Sequence, residues 1–217
     1  LLILKFALAA LTGYLYIRRF TKTAYAASLG GLLYAFSGFS IYNIFFNHFH
    51  EPLVFFPLLL LSAELLLTEN KRGVFALAVA LCAISNYYFF FGMVIFTIIY
   101  FIVRLSSKAI KVSFGRFIAF GFEAVLGLLM SAIILLPSIA AISDNSRLNE
   151  ILLGWNAITY GKEQIYANVL QCFFFPPDIP ARPIFFPGAE VKWSSLGGWL
   201  PIFSMVGVFT WFKYKTN

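Results

Sequence analysis

The stretch GVFALAVALCAISNYYFFFGMVIFTIIYFIVR, residues 73–104, decides how this chain folds. One helix over its 31 uncharged residues, 73–103, would be roughly 46 Å long at about 1.5 Å per residue. That is too long for a single crossing of a hydrocarbon core of roughly 30 Å. The polar step at Ser85-Asn86 interrupts the run. The stretch therefore predicts a tight hairpin of two short helices that turns at residues 85–88.

The same apolar character runs through the whole chain. Of 217 residues, 61% are hydrophobic and only 12% are charged, and the mean hydropathy is +0.85. Soluble domains carry about 25% charged residues, so the composition excludes a soluble enzyme, a disordered tail or a coiled coil. The composition instead indicates an all-α, polytopic transmembrane helix bundle, because lipid offers no hydrogen-bond partners for free backbone groups.

Seven membrane spans are predicted, and one long connection separates the last two. The spans are residues 1–17, 24–44, 52–67, 73–85, 88–103, 117–136 and 196–212. Residue 1 is a leucine inside an apolar run, so we interpret residues 1–217 as a single transmembrane domain that is a fragment of a longer protein. Ala26/Gly30 and Ala27/Gly31 are small-residue pairs of the type that allows close helix packing.

Lysine and arginine occupy alternate loops. Nine basic residues follow the first, third and fifth spans, and none lies in the two short loops between those spans: Arg18, Arg19, Lys22, Lys71, Arg72, Arg104, Lys108, Lys111 and Arg116. The positive-inside rule then predicts that the basic loops lie in the cytoplasm and the other loops outside. Membrane topology therefore accounts for the net charge of +7, and no nucleic acid partner is expected.

The connection 139–195 is predicted to be an ordered extracellular lid. It is too rich in aromatic residues for a disordered segment, with FFFPP at 173–177 and IFFP at 184–187. Arg182 and Lys192 in this connection are candidates to neutralise a substrate phosphate, with solvated surface charges as the plain alternative.

The only two histidines fall in Asn47-His48-Phe49-His50-Glu51, in the loop between the second and third spans. Two imidazoles and a carboxylate within four residues can form a polar cluster for a divalent cation or a phosphate, and the three are candidate active-site residues. Asn43 and Asn47 add amides one turn apart. The alternative is structural, because Glu51-Pro52 is also a typical helix start.

Polar residues of the predicted hairpin turn would lie at the same face. Asn86, Tyr87 and Tyr88 are candidate walls of a sugar or lipid-phosphate pocket, or else a turn within an aromatic belt. Glu123 is expected to pair with Arg116, and the interfacial position of Glu64 is sufficient explanation for that acid.

Three separated motifs carry a family resemblance. They are Gly13-Tyr14-Leu15-Tyr16 before Arg18-Arg19, Leu33-Tyr34-Ala35-Phe36-Ser37-Gly38-Phe39, and Asn86-Tyr87-Tyr88-Phe89-Phe90-Phe91-Gly92. Together they resemble the bacterial YfhO membrane proteins over nearly the whole chain. That family is similar to the GT-C glycosyltransferases, which take a sugar from a polyprenyl-phosphate carrier on the outer membrane face. The resemblance implies a role in decorating cell-surface polymers such as lipoteichoic acid.

The resemblance implies a site at the outer membrane face. The usual catalytic acid would lie upstream of this chain, and the long connection would close over the lipid-linked donor. Glu51 matches no fixed acid of the family, and His48/His50 is not one of its motifs, so a metal role there is not inherited. A glycosyltransferase module is therefore the leading hypothesis, and a transporter or flippase and a noncatalytic scaffold are the alternatives.

Overall fold

The computed structural model describes residues 1–108, 110, 112–143 and 202–214, and this part of the chain contains helices and no strand. The helices are α1 (Leu2–Arg18), α2 (Ala24–Ala35), α3 (Gly38–Tyr42), α4 (His50–Glu69), α5 (Val74–Ser85), α6 (Tyr87–Ser106), α7 (Phe114–Ser143) and α8 (Ile202–Tyr214). Two 3₁₀ turns, Asn43–Phe45 and Asn47–Phe49, connect α3 to α4. The predicted all-helical class is confirmed.

In the described part of the chain, three segments are long and apolar enough to cross a membrane: Asn47–Glu69, Tyr87–Ser106 and Phe114–Ser138. Helices α2 and α5 are apolar but have 12 residues each, which is a rise of only about 18 Å. The seven crossings and the sides of the loops remain predictions. The predicted connection 139–195 starts inside α7, because this helix continues to Ser143, and from residue 144 it lies outside the described residues.

The hairpin predicted from residues 73–104 is present, and its turn is a single residue. α5 ends at Ser85 and α6 begins at Tyr87. Asn86 between them has extended backbone, and its side chain accepts a hydrogen bond from the Phe89 amide at 3.3 Å. An asparagine at this position satisfies an amide that the first turn of a helix otherwise leaves free.

The predicted helix over 24–44 is divided. α2 ends at Ala35, and α3 begins at Gly38 after the extended residue Ser37. Serine favours the position before a helix because its side chain competes with the helical backbone, and here its hydroxyl lies 3.3 Å from that of Ser40. The result is a 12-residue helix and a short turn in place of one long span.

Small residues bring two helix pairs into backbone contact. A Cβ atom on Gly31 of α2 would lie 2.5 Å from the Ala10 carbonyl oxygen of α1. A Cβ atom on Gly127 of α7 would lie 2.5 Å from the Ala76 carbonyl oxygen of α5. The Ala27/Gly31 pair is buried as expected, whereas Ala26 is exposed.

Side chains of α7 form hydrogen bonds on both sides of the turn that joins α4 to α5. Arg116 donates hydrogen bonds to the Leu67 and Thr68 carbonyls at 2.9 and 3.2 Å, at the end of α4. Glu123, buried two turns further on, accepts hydrogen bonds from the amides of Gly73 and Ala76 at 2.8 and 3.2 Å, at the start of α5. Each charge lies at the helix terminus of opposite partial charge, which stabilises both helix ends. The expected pairing of Glu123 with Arg116 is therefore wrong, because each side chain caps a different helix.

Replacing Gly127 by valine should destabilise the α5–α7 contact. The new side chain would overlap the backbone of α5 at Ala76, and such overpacking costs about 1–3 kcal/mol. The melting temperature of the detergent-purified protein should fall by several degrees. Gly92→Val is the matched control, since a Cβ atom there meets nothing within 4 Å. Equal melting temperatures for the two variants would contradict this packing.

Candidate functional site

The bundle has two ends with different chemistry. α4 runs from His50 to Glu69, α5 returns, and α6 runs back again. We call the end with the start of α4 and the α5–α6 turn the histidine end. The opposite end, with the α4–α5 turn and the end of α6, is the glutamate end. Contacts across the helices confirm this arrangement, since Asn86 approaches His48 at one end and Arg104 binds Glu64 at the other.

A pocket of about 330 Å³ lies at the histidine end. It is enclosed by the 3₁₀ turn before α4, the α5–α6 turn and the last part of α7. Its polar groups come from residues that are distant in sequence, and its apolar walls come from neighbouring helices. The polar residues lining it are His48, Ser85, Asn86, Tyr87, Tyr88 and Ser138.

The structure brings together four of the residues predicted for the site. The Asn86 side-chain amide donates a hydrogen bond to the His48 carbonyl at 3.5 Å, which ties the two turns together. The His48 ring packs edge-on against Phe49, with 4.5 Å between ring centroids. Tyr87 and Tyr88 are 55% and 74% exposed. An exposed imidazole and two exposed phenols therefore line one pocket.

His50 has a different environment from His48. It is 2% exposed, and its ring centroid lies 5.1 Å from that of Phe6 in α1. Nε2 is 3.0 Å from the Ser40 carbonyl, which can only accept, so Nε2 carries the proton and donates. Nδ1 has no hydrogen-bond partner among the described residues. His50 is thus part of the α1–α3–α4 packing.

Glu51 forms an ion pair with α1. Its Oε1 is 2.9 Å from Nζ of Lys5, which also donates to the Asn47 carbonyl at 2.9 Å. The ion pair holds the start of α1 against the start of α4. His50 is therefore buried against α1 and α3, Glu51 is directed to Lys5, and His48 lines the pocket, so the three side chains have different neighbours among the described residues. The described part of the chain contains no group of three His, Cys, Asp or Glu side chains able to hold a metal ion.

The other predicted site residues are distributed differently. Asn43 is buried, and its side-chain amide donates to the Phe39 carbonyl at 2.9 Å, so it completes α3. Asn47 contributes its backbone carbonyl to Lys5. Arg182 and Lys192 lie outside the described residues.

The glutamate end contains a buried charge cluster that the sequence interpretation missed. Glu64 of α4 is 0% exposed. Arg104 of α6 binds it with two hydrogen bonds, Nε to Oε1 at 2.8 Å and a terminal nitrogen to Oε2 at 2.9 Å. The Tyr100 hydroxyl adds a third hydrogen bond at 2.6 Å. Arg19, directly after α1, lies 3.9 Å from Glu64 and binds Glu69 at 2.6 Å.

The interpretation that an interfacial position explains Glu64 is wrong, because the side chain is buried and paired with Arg104. The signal in the sequence was an acid within the apolar run LLLLSAELLL, because an ionisable residue inside a span usually has a charged partner. The partner could not be identified from the sequence, since Arg104 lies forty residues later and on another helix.

A family profile described as "Bacterial membrane protein YfhO" matches residues 1–168. The chain belongs to the YfhO family. The match covers the motifs from which the resemblance was inferred. No curated protein and no solved structure is similar enough to this chain to count as a match.

The YfhO motifs lie at structurally defined positions. The first is the second half of α1, which ends at the charge cluster. The second spans the break between α2 and α3, and the third is the α5–α6 turn with the first residues of α6. Family membership and the apolar helices establish a membrane protein, and the third motif contributes directly to the histidine-end pocket.

Glu64→Gln should strongly destabilise the protein. The amide keeps the shape of the side chain but leaves the mostly buried Arg104 without its counter-ion, and breaking a buried pair from one side costs about 3–5 kcal/mol. Thermal melting in detergent would measure the loss. Arg104→Lys should also lower the melting temperature, because an ammonium cannot reproduce the two-pronged contact with Glu64. Glu69→Gln is the matched control at an exposed acid, and a similar melting temperature for Glu64→Gln and Glu69→Gln would contradict the role of Glu64.

Proposed function

We propose that this YfhO-family protein is an integral membrane glycosyltransferase module. It would transfer a sugar from a polyprenyl-phosphate donor to an extracellular cell-surface polymer such as lipoteichoic acid. The observation that carries the proposal is the pocket at the histidine end, in which His48 and the Asn86-Tyr87-Tyr88 turn meet beside apolar helices. The family membership supports the membrane setting.

The composition of the pocket suits the polar part of a lipid-linked sugar. Exposed tyrosine rings offer an apolar face and a hydroxyl, which matches a sugar ring with its apolar and polar edges. The side-chain carbonyl oxygen of Asn86 accepts a hydrogen bond from the Phe89 amide, which fixes this side chain at the pocket. Ser85 and Ser138 contribute hydroxyl groups to the pocket lining. Ile134 and Leu135 of α7 form an apolar wall beside these groups, where a hydrocarbon chain can leave towards the lipid.

His48 is the proposed general base of the pocket. Its imidazole is exposed at the pocket wall, and histidine is the side chain that most often acts as a general base. Glu51 keeps a proposed role as a neighbouring acid, because its side chain is 36% exposed and Lys5 engages only Oε1. His50 is assigned a structural role. Since the described residues do not gather three metal-binding side chains, no step of this proposal is assigned to a divalent cation.

Arg182 and Lys192 complete the proposal as groups that neutralise the donor phosphate. Charge stabilisation of the leaving group is the largest requirement of such a transfer. Their assignment rests on the sequence alone, together with the proposed extracellular position of the connection that carries them. The proposed cytoplasmic position of the basic loops rests on the same charge distribution.

A transporter or flippase is the second candidate, and one observation favours it. The predicted span 24–44 is broken at residues 36–37, and broken helices are common at the substrate sites of transporters. In the described bundle, however, the polar side chains nearest the break are engaged with one another, as in the contact of Ser37 with Ser40. A noncatalytic scaffold is the third candidate.

His48→Ala and Tyr88→Ala should each remove most glycosylation of the surface polymer. For His48, the loss of a general base lowers the rate on the order of a hundredfold or more. For Tyr88, the substitution removes a ring that is proposed to contact the sugar. Cells would express the full-length protein at matched levels, and polymer-linked sugar would be measured together with the lipid-linked donor. Tyr25→Ala, at a tyrosine of α2 that is 90% exposed, is the matched control. Near-normal polymer in both pocket variants would contradict the proposal, and donor trapped at the cytoplasmic face would support the flippase.

Glu51→Gln and Lys5→Gln separate catalysis from ion pairing. Both variants break the same ion pair, in which the Lys5 side chain is 11% and the Glu51 side chain 36% exposed, so its loss should affect folding similarly in the two. We expect Glu51→Gln to reduce polymer glycosylation strongly and Lys5→Gln to leave most of it, at equal protein levels. If the two variants behave alike, Glu51 acts only as the partner of Lys5.

A further inference from the structure

A second cavity, of about 620 Å³, lies between α6 and α7 at the glutamate end. α7 packs chiefly on α5 rather than on α6, so the two helices leave a groove between them. The stacked rings of Phe101, Phe117 and Phe120 form its floor, with centroids 6.1 and 5.3 Å from that of Phe101. Phe122, 66% exposed, and Val125 form its wall on α7. Every side chain that lines the groove is apolar.

The length of the groove matches one leaflet of a bilayer. Its residues on α7 run from Phe114 to Val125, a helical rise of about 16 Å. Half of a hydrocarbon core is about 15 Å. Both α6 and α7 are long and apolar enough to span a membrane, so the groove opens towards lipid. An acyl chain of one leaflet therefore fits its length and its chemistry.

Positive charge at one end of the groove favours an anionic lipid headgroup. The segment 104–116, which joins α6 to α7, contains Arg104, Lys108, Lys111 and Arg116 and no acidic residue. Arg104 is bound to Glu64, and Arg116 caps α4, whereas Lys108 is exposed. The N-terminus of α7, which carries a partial positive charge, lies at the same end. Basic segments at the end of membrane helices attract anionic lipids.

We propose that the groove between α6 and α7 holds one anionic phospholipid. Its phosphate lies beside Lys108 and the N-terminus of α7, and its acyl chain lies along the phenylalanines of the groove. The site is at the opposite end of the bundle from the histidine-end pocket, so it does not depend on the proposed transferase activity. The lipid fills a gap between two helices that the described residues leave unpacked.

Gly121 provides a direct test, because it lines the groove and a Cβ atom there meets nothing within 4 Å. The full-length protein would be purified in detergent, supplied with phosphatidylglycerol or phosphatidylcholine, and analysed by native mass spectrometry. The parent should retain one phosphatidylglycerol, in preference to phosphatidylcholine. Gly121→Trp should lower this retention about tenfold, whereas Gly92→Trp, at an equally open glycine of α6 outside the groove, should not.

The charge requirement is tested separately. Lys108→Gln should reduce the preference for phosphatidylglycerol about fivefold, and Lys22→Gln in the α1–α2 loop should leave it unchanged. Equal retention of the two lipids by the parent would overturn the proposal. A preference that survives in Gly121→Trp would also overturn it, because the lipid would then be bound elsewhere.

A second measurement does not require the groove to be blocked. Phe122→Trp places a reporter in the wall of the groove, and Phe91→Trp places one on an exposed position of α6 outside it. Brominated phosphatidylglycerol should quench the added fluorescence at position 122 more than brominated phosphatidylcholine does, with no such difference at position 91. Equal quenching by the two lipids at position 122 would overturn the proposal.

Discussion

The buried contact between Glu64 and Arg104 is the interaction on which the arrangement of the helices depends. Moving a carboxylate or a guanidinium out of water costs several kcal/mol for each ion, so neither side chain can be buried alone. The pair is compensated by two hydrogen bonds between the ions and a third from Tyr100. α4 and α6 are therefore fixed in register, since sliding either helix by one turn would leave a charge unpaired. Arg19 extends the same constraint to α1.

Around this fixed point, α7 organises the short helices. α5 has only 12 residues and packs on α7 at Gly127, where there is no room for a Cβ atom beside the Ala76 carbonyl oxygen. Arg116 and Glu123 occupy the termini of α4 and α5, and each charge replaces a hydrogen-bond partner that water would supply in a soluble protein. Gly127 allows α5 and α7 to approach closely, and Arg116 and Glu123 cap the neighbouring helix ends. Together these contacts explain how helices that are short relative to a bilayer stay packed.

The chemistry of the two ends follows from this scaffold. At the glutamate end, the acids and most of the basic groups are engaged in packing and capping, and an apolar groove remains beside them. At the histidine end, the turns that follow the rigid helices leave polar groups exposed around a pocket. Exposed side chains on a rigid scaffold are available to bind substrate, whereas the buried charges are already committed to one another. This contrast places the proposed transfer chemistry at His48 and not at Glu64.

The sequence by itself determined the helical class, the membrane setting, the family and the hairpin at Asn86, because these depend on composition and on local patterns of polar and apolar residues. It also indicated that His48 and the Asn86 turn share one end of the bundle, since a hairpin returns its turn to the loop two helices earlier. Only the tertiary structure decided the environment of each polar group. It buried His50, directed Glu51 to Lys5, and paired Glu64 with Arg104 rather than leaving it at an interface. The reason is that burial and pairing depend on which helices are neighbours, and helix neighbours are set by packing over many residues that no local pattern records.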